Sequence, residues 1–127
     1  MDLTGKVAIV TGSGRGIGKT IALKLAGAGA TIVINDIGDP SSAESVAEEI
    51  RVMKRESLVV MGDVSSAPDM TKMVESAVAT YGKVDILVNN AGITRDHLLI
   101  RMSDEDWDKV ITVNLRSVFL CTRAVLK

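Results

Sequence analysis

Apolar residues fall in short blocks along this chain, separated by longer stretches where they recur at intervals. Lys6–Thr11 (KVAIVT), Thr31–Asp36 (TIVIND), Ser57–Met61 (SLVVM) and Asp85–Asn90 (DILVNN) are near-continuous apolar runs. Runs this short, rich in β-branched residues and bounded by Gly, Asn and Asp, predict strands buried on both faces. Between them the spacing is helical. Gly16–Gly29 carries Ile17, Ile21, Ala22 and Leu25 on one stripe and stops at Gly29. Gly38-Asp39-Pro40 reads as a turn, and Ser41 with Glu44 has the pattern of a capping box, predicting a helix to Arg55. Ser66, Pro68 and Asp69 offer an N-cap, a first-turn proline and a first-turn acid for a third helix, closed after Tyr81 by Gly82. Ile93–Met102 reads as a loop, after which Ser103 and Asp106 open a last helix running to Lys127.

The order is β-α-β-α-β-α-β-α. Strands joined through helices of this length make right-handed crossovers, so the fold class is α/β with a doubly wound parallel sheet, Rossmann type. Its strands are expected in the order 3-2-1-4, with helices on both faces. No Pro/Ser linker or repeat divides the chain, so residues 1–127 read as one domain. Ligands of such sheets sit outside the carboxyl ends of the strands, where the strand order reverses. The loops that meet there are Thr11–Gly18, Asp36–Ser41, Met61–Ser65 and Asn89–Asp96, which is where Gly, Asn and Asp concentrate.

Composition narrows the picture. The 127 residues are 46% hydrophobic and 24% charged, enough apolar surface to offset chain entropy. The aromatics are Tyr81, Trp107 and Phe119 alone, so the core is built from Val, Ile, Leu, Ala and Met. A net charge of −1 with no basic stripe argues against nucleic acid as a partner. No charged-then-apolar leader opens the chain, and no apolar run approaches the ~18–20 residues of a membrane span, so a cytoplasmic protein without a membrane partner is expected. Cys121 is alone, which leaves no disulfide framework and no metal site, and it reads as a small buried residue. His97 has no partner cluster and takes no catalytic role.

Chemistry concentrates in the first loop. Thr11-Gly12-Ser13-Gly14-Arg15-Gly16-Ile17-Gly18 joins a strand to a helix, and its spacing is T-G-x-x-x-G-x-G at Thr11, Gly12, Gly16 and Gly18. Glycines let backbone approach a pyrophosphate, and the helix start presents unpaired N–H groups to it. Gly18-Lys19-Thr20 and Met61-Gly62-Asp63 resemble parts of a nucleoside-triphosphate-binding loop and its aspartate. That pattern requires Gly at position 13, where Ser13 stands. Asp36 ends the second strand twenty residues after Gly16, where a carboxylate accepts from the adenosine ribose hydroxyls. Its charge disfavours a 2′-phosphate and favours NAD, whereas Arg15 could pair with that phosphate and favours NADP. NAD is the preferred reading.

With Asp63-Val64 after the third strand, Asn89-Asn90-Ala91-Gly92 after the fourth, and Asn114 within Thr112–Leu115, the chain resembles the short-chain dehydrogenase/reductase family over essentially its whole length. Within that family Ile93–Asp96, Leu98-Leu99, Arg101-Met102 and Asp106-Trp107 are similar to bacterial 3-oxoacyl-acyl-carrier-protein reductases. The resemblance implies that Asp63 and Val64 hold the adenine ring. It places Asn90, Ala91 and Gly92 along the ribose and nicotinamide side, and Asn89 against the sheet. It gives the Asn114 carbonyl a supporting place in a proton relay, and it implies an acyl-carrier-protein-bound substrate and a homo-oligomer or a complementing half. The family's chemistry also uses a serine and a Tyr-x-x-x-Lys. Here Tyr81 is followed by Gly82, Lys83, Val84 and Asp85, so that pair is missing. The chain is therefore expected to be the cofactor-binding portion of a reductase, inactive alone. The alternatives are a non-catalytic nucleotide-binding or assembly module, or one half of a split enzyme. Ending here, it is expected to leave the fourth strand and the last helix partly uncovered.

Overall fold

The computed structural model describes residues 1–127. Strands β1 (Val7–Val10), β2 (Thr31–Ile34), β3 (Ser57–Val59) and β4 (Ile86–Val88) form one parallel sheet in the order β3-β2-β1-β4. In the register, Val7 stands opposite Thr31, Ala8 opposite Ile86 and Ile32 opposite Ser57. Around it lie α1 (Gly16–Gly27), α2 (Ser41–Val52), α3 (Ala67–Tyr81), α4 (Asp104–Ile111) and α5 (Ser117–Leu126). The expected class and strand order are those observed.

Side-chain alternation in β1 and β2 explains the layers, because successive residues of a strand point to opposite faces. Ala8, Val10, Ile32 and Ile34 meet Ala22 and Ala26 of α1 and Val46 and Ile50 of α2. Val7, Ile9 and Val33 meet Met70, Met73 and Ala77 of α3, together with Val113 and Cys121. Two cores thus lie on the two sides of one sheet. Alanines on α1 bring that helix close to the sheet, and methionines of α3 fill the other side. Full burial on both faces holds for β1 and for most of β2, whereas β3 and β4 are half-buried because they are the edges.

Element boundaries differ from the sequence pattern for local reasons. Ser66 and Ser103 cap their helices as expected, accepting from the amides of Asp69 and Asp106. The capping box at Ser41 does not form. Pro40 is the N-cap, and Ser41 donates its amide (2.8 Å) and hydroxyl (2.6 Å) to Asp39 Oδ1 instead. Helix α2 also stops at Val52, short of Arg55, as Lys54 turns to φ +61°. Met61 lies beyond β3, and Leu99–Arg101 forms a 3₁₀ turn within the expected loop. The last helix runs through α4 and α5 but carries a π-helical segment at Thr112–Arg116. No helix is long and apolar enough to cross a membrane.

Candidate functional site

A cavity of about 360 Å³ opens at the carboxyl ends of the strands, between the loops that follow β1, β2, β3 and β4. Its first wall is the glycine loop. Ser13 is fully buried; its hydroxyl donates to the Val10 carbonyl (2.7 Å) and accepts from the Asn35 amide (3.2 Å), stitching the ends of β1 and β2 together. Gly14 donates its amide to Asp36 Oδ2 at 2.9 Å, and a Cβ there would stand 2.5 Å from that oxygen. Gly12 sits at φ +62° with Ala91 packed where a Cβ would be, and Gly16 at φ +58° is required for its backbone conformation alone. At Gly18 a Cβ would collide with the Gly12 carbonyl oxygen and Asn90 Nδ2. The result is a helix start pressed against the loop, with the amides of Gly16, Ile17 and Gly18 left without an acceptor in the chain. Such amides and the helix dipole together attract an anion.

Asp36 emerges from β2 and is fixed on both oxygens. Oδ2 takes the Gly14 amide and Oδ1 the Ile37 amide, each at 2.9 Å. A carboxylate holds about four lone-pair sites, so acceptor capacity remains toward the cavity that it lines with Arg15 and Ile37. Asn35, beside it, donates Nδ2 to the carbonyls of Val60 (3.1 Å) and Gly62 (3.3 Å) and so holds the next loop.

In that loop Asp63 Oδ1 accepts from the Ser65 hydroxyl (2.6 Å) and amide (2.8 Å). The Ser65 hydroxyl chiefly, then its amide, holds the Asp63 carboxyl below the usual carboxylate range; slight burial opposes this and the Lys109 charge adds to it. The Asp63 amide is anchored on Asp69 Oδ2 at 2.9 Å. Asp63 Oδ2 and the Val64 amide have no partner in the chain. Adjacent residues therefore offer the cavity one free acceptor and one free donor.

The last wall follows β4. Thr11 Oγ1 accepts the amides of Asn90 and Ala91, both at 3.0 Å, and Asn90 Nδ2 donates to the carbonyls of Thr11 and Gly12, both at 3.1 Å. Asn90 thus locks the glycine loop to the end of β4 while lining the cavity with Ala91 and Gly92. Asn89 reaches Thr122 of α5 (3.4 Å), so it braces a helix rather than the sheet. Asn114 lies in the π-helical segment, where its side chain forms a reciprocal pair with the Ile93 backbone at 2.7 and 2.8 Å.

Of the residues expected at the site, Gly12, Arg15, Ile17, Gly18, Asp36, Asp63, Val64, Asn90, Ala91 and Gly92 line the cavity. Ser13, Gly14, Gly16 and Asn114 do not; Ser13 and Gly14 are buried behind the loop, while Gly16 and Asn114 are exposed beside it. Asn35, Ile37, Gly62, Ile93, Lys109 and Val113 line it without having been expected. The first four are sequence neighbours of expected residues. Lys109 and Val113 stand one turn apart on the last helix, and only the packing of that helix against the Gly62–Ser65 loop reveals the pair. His97 binds Asp106 (2.9 Å) away from the cavity. Cys121 is buried, and burial pushes its thiol up to about 11.

Comparison with known proteins converges on the same architecture. The family model described as short chain dehydrogenase matches residues 6–127. A 3-oxoacyl-[acyl-carrier-protein] reductase FabG of Staphylococcus epidermidis is 45% identical over 94% of this chain and 49% of its own length. A 3-oxoacyl-[acyl-carrier-protein] reductase of Synechocystis is 46% identical over 98% of this chain and 51% of its own. The chain spans about half the length of the curated relatives it matches. Among solved structures, a short chain dehydrogenase from Mycobacterium avium superposes with a TM-score of 0.95 at 38% identity, covering 98% of this chain and 46% of that one. Another from Burkholderia cenocepacia, in complex with NADP, superposes at 0.94 with 34% identity, covering 99% of this chain and 51% of that one. The match of the family model to nearly the whole chain, beside relatives and solved structures of the same kind, makes the assignment: the chain belongs to the short chain dehydrogenase family.

Proposed function

We propose that residues 1–127 act as one dinucleotide-binding unit, the cofactor-binding part of an NAD(P)-dependent oxidoreductase of the 3-oxoacyl-acyl-carrier-protein reductase kind. The observation that carries this reading is the set of unpartnered groups around one cavity. The Gly16, Ile17 and Gly18 amides suit a pyrophosphate, the Asp36 carboxylate suits a ribose diol, and the Asp63–Val64 pair suits the amino group and N1 of adenine. When bound, a nicotinamide dinucleotide supplies or takes up a hydride. The chain's own residues bind and orient it, with Asn90, Ala91 and Gly92 along the ribose and nicotinamide side. The names of the relatives support a 3-oxoacyl thioester on acyl carrier protein as the substrate.

NAD is the favoured cofactor. Asp36 is held in place by two backbone amides, so it cannot swing away from a 2′-phosphate without leaving both unpaired. Arg15 lines the same cavity and works in the opposite direction. Fluorescence titration is expected to give tighter binding of NADH than NADPH, and Asp36→Asn, which removes the charge at constant shape, should raise the NADPH/NADH affinity ratio about tenfold or more. Absence of NADH binding at millimolar concentration would refute the binding reading. Tyr81 packs against the α3-side core and does not line the cavity, so it supplies no acid there; burial chiefly, and the Glu56 charge next, push its phenol up. NADH oxidation with a 3-oxoacyl thioester is expected to be undetectable for this chain alone, and measurable turnover would contradict that expectation.

A further inference from the structure

Helix α4 delivers one cation to the wall that carries Asp63. Lys109 lines the cavity together with Val113, one turn further on, opposite the Gly62–Val64 loop. The π-helical segment that continues α4 is tied to that loop by Arg116, whose Nη1 donates to the Ser65 carbonyl at 3.2 Å, so the approach of Lys109 is fixed by more than its own side chain. The carboxylates of the neighbourhood are otherwise engaged. Asp63 Oδ1 takes Ser65, Asp69 takes the Asp63 amide, and Asp106 takes His97 and Arg95. The Lys109 ammonium forms no salt bridge with any of them. It is a free donor at the end of the cavity where Asp63 Oδ2 and the Val64 amide are also free.

The geometry points to Lys109 as a specificity-determining residue for the base, donating from its ammonium to N7 of a purine. This rests on the adenine reading above. The amino group of adenine is flanked by two ring acceptors, N1 and N7. With the amino group on Asp63 and N1 on the Val64 amide, the remaining acceptor beside the amino group is N7, N3 lying on the far edge of the ring, and the remaining donor of this wall is Lys109. A charged donor on a neutral acceptor discriminates more strongly than a neutral pair.

Calorimetric titration of the full chain with adenosine 5′-monophosphate and with its 7-deaza analogue, in which N7 is a C–H, tests this directly. The unmodified chain is expected to bind the parent nucleotide about tenfold more tightly than the analogue. Lys109→Met, exposed and retaining the side-chain stem, should bind both with the analogue's affinity, and Lys109→Arg should restore the distinction. Equal binding of the two nucleotides by the unmodified chain overturns the inference. So does an equal loss for both in Lys109→Met, which marks long-range attraction to the phosphate, or no change in either. Failure of the unmodified chain to bind either nucleotide removes the adenine reading itself, and the Lys109 inference falls with it.

Discussion

Replacing Gly18 with alanine sets a methyl group against the Gly12 carbonyl oxygen and the Asn90 amide, neither of which can retreat without opening the glycine loop. Overpacking of this kind costs roughly 1–3 kcal/mol, and the variant should also lose NADH binding because the free amides at the start of α1 are displaced. Gly27→Ala offers the contrast: nothing lies within 4 Å of the added carbon, and stability should rise by about 0.4–1 kcal/mol as the unfolded chain loses freedom. Urea unfolding of the two variants checks both signs. The spacing of Gly12, Gly16 and Gly18 is legible from sequence because each answers a local demand of backbone geometry or close approach. Ser13 and Gly14 are not legible in the same way. Their roles are set by Asn35 and Asp36, 22 residues away, and only the fold brings those side chains to the loop.

The joints between elements make two further predictions. Ser66→Ala removes the acceptor for the Asp69 amide at the start of α3 and should cost about 1 kcal/mol in urea unfolding. Ser41→Ala should cost far less, since Ser41 caps nothing. A capping box is a pattern of residue types, and here the aspartate two positions earlier competes for the same hydroxyl. Asp85 joins the start of β1 to the approach to β4, accepting from the Val7 amide at 2.8 Å and from Lys83 at 3.0 Å. The Val7 amide first, and Lys83 next, hold the Asp85 carboxyl below the usual carboxylate range, as Ser65 does for Asp63. A folded pKa below the unfolded one adds stability that is full above the unfolded value and is lost as pH falls through the folded one. Stability measured by urea should therefore fall as pH drops below the carboxylate range, and Asp85→Asn should flatten that fall. Elements were legible from periodicity because each strand and helix is several residues of one pattern. Joints were legible where a cap lies within one turn, as at Ser66 and Ser103, but not where they depend on a single long-range hydrogen bond, such as Val7 to Asp85.

At the scale of the whole molecule, the last helix is the face where association with a second copy is expected. The last helix is expected to lie partly uncovered, and in the structure Val113 and Leu120 are buried while Val118 is exposed. The large apolar side chains in the open on this helix are Trp107, Ile111, Leu115, Val118, Phe119 and Leu126, with Leu115 64% and Leu126 80% exposed. A π-helical turn at Thr112–Arg116 separates the two parts of this helix. It accommodates one extra residue and so rotates the face presented by α5 by about 100° relative to α4. Beside this stripe, β4 pairs with β1 on one side only, leaving a row of backbone donors and acceptors at the sheet edge. Exposed apolar side chains and an open sheet edge both favour association. Charge sets its sense: α4 carries Asp104, Glu105, Asp106 and Asp108, while Arg116, Arg123 and Lys127 lie toward the other end. Two copies packed antiparallel through this face bring the acidic end of one against the basic end of the other. Sedimentation velocity is expected to show concentration-dependent association that weakens with added salt and is abolished by Phe119→Glu. Phe119 is a surface residue, half-exposed beneath Arg123, so the variant should fold, and a thermal melt would confirm it. A single monomeric species at every concentration, before any substitution, would show that this face is stable in water and that the open edge is tolerated.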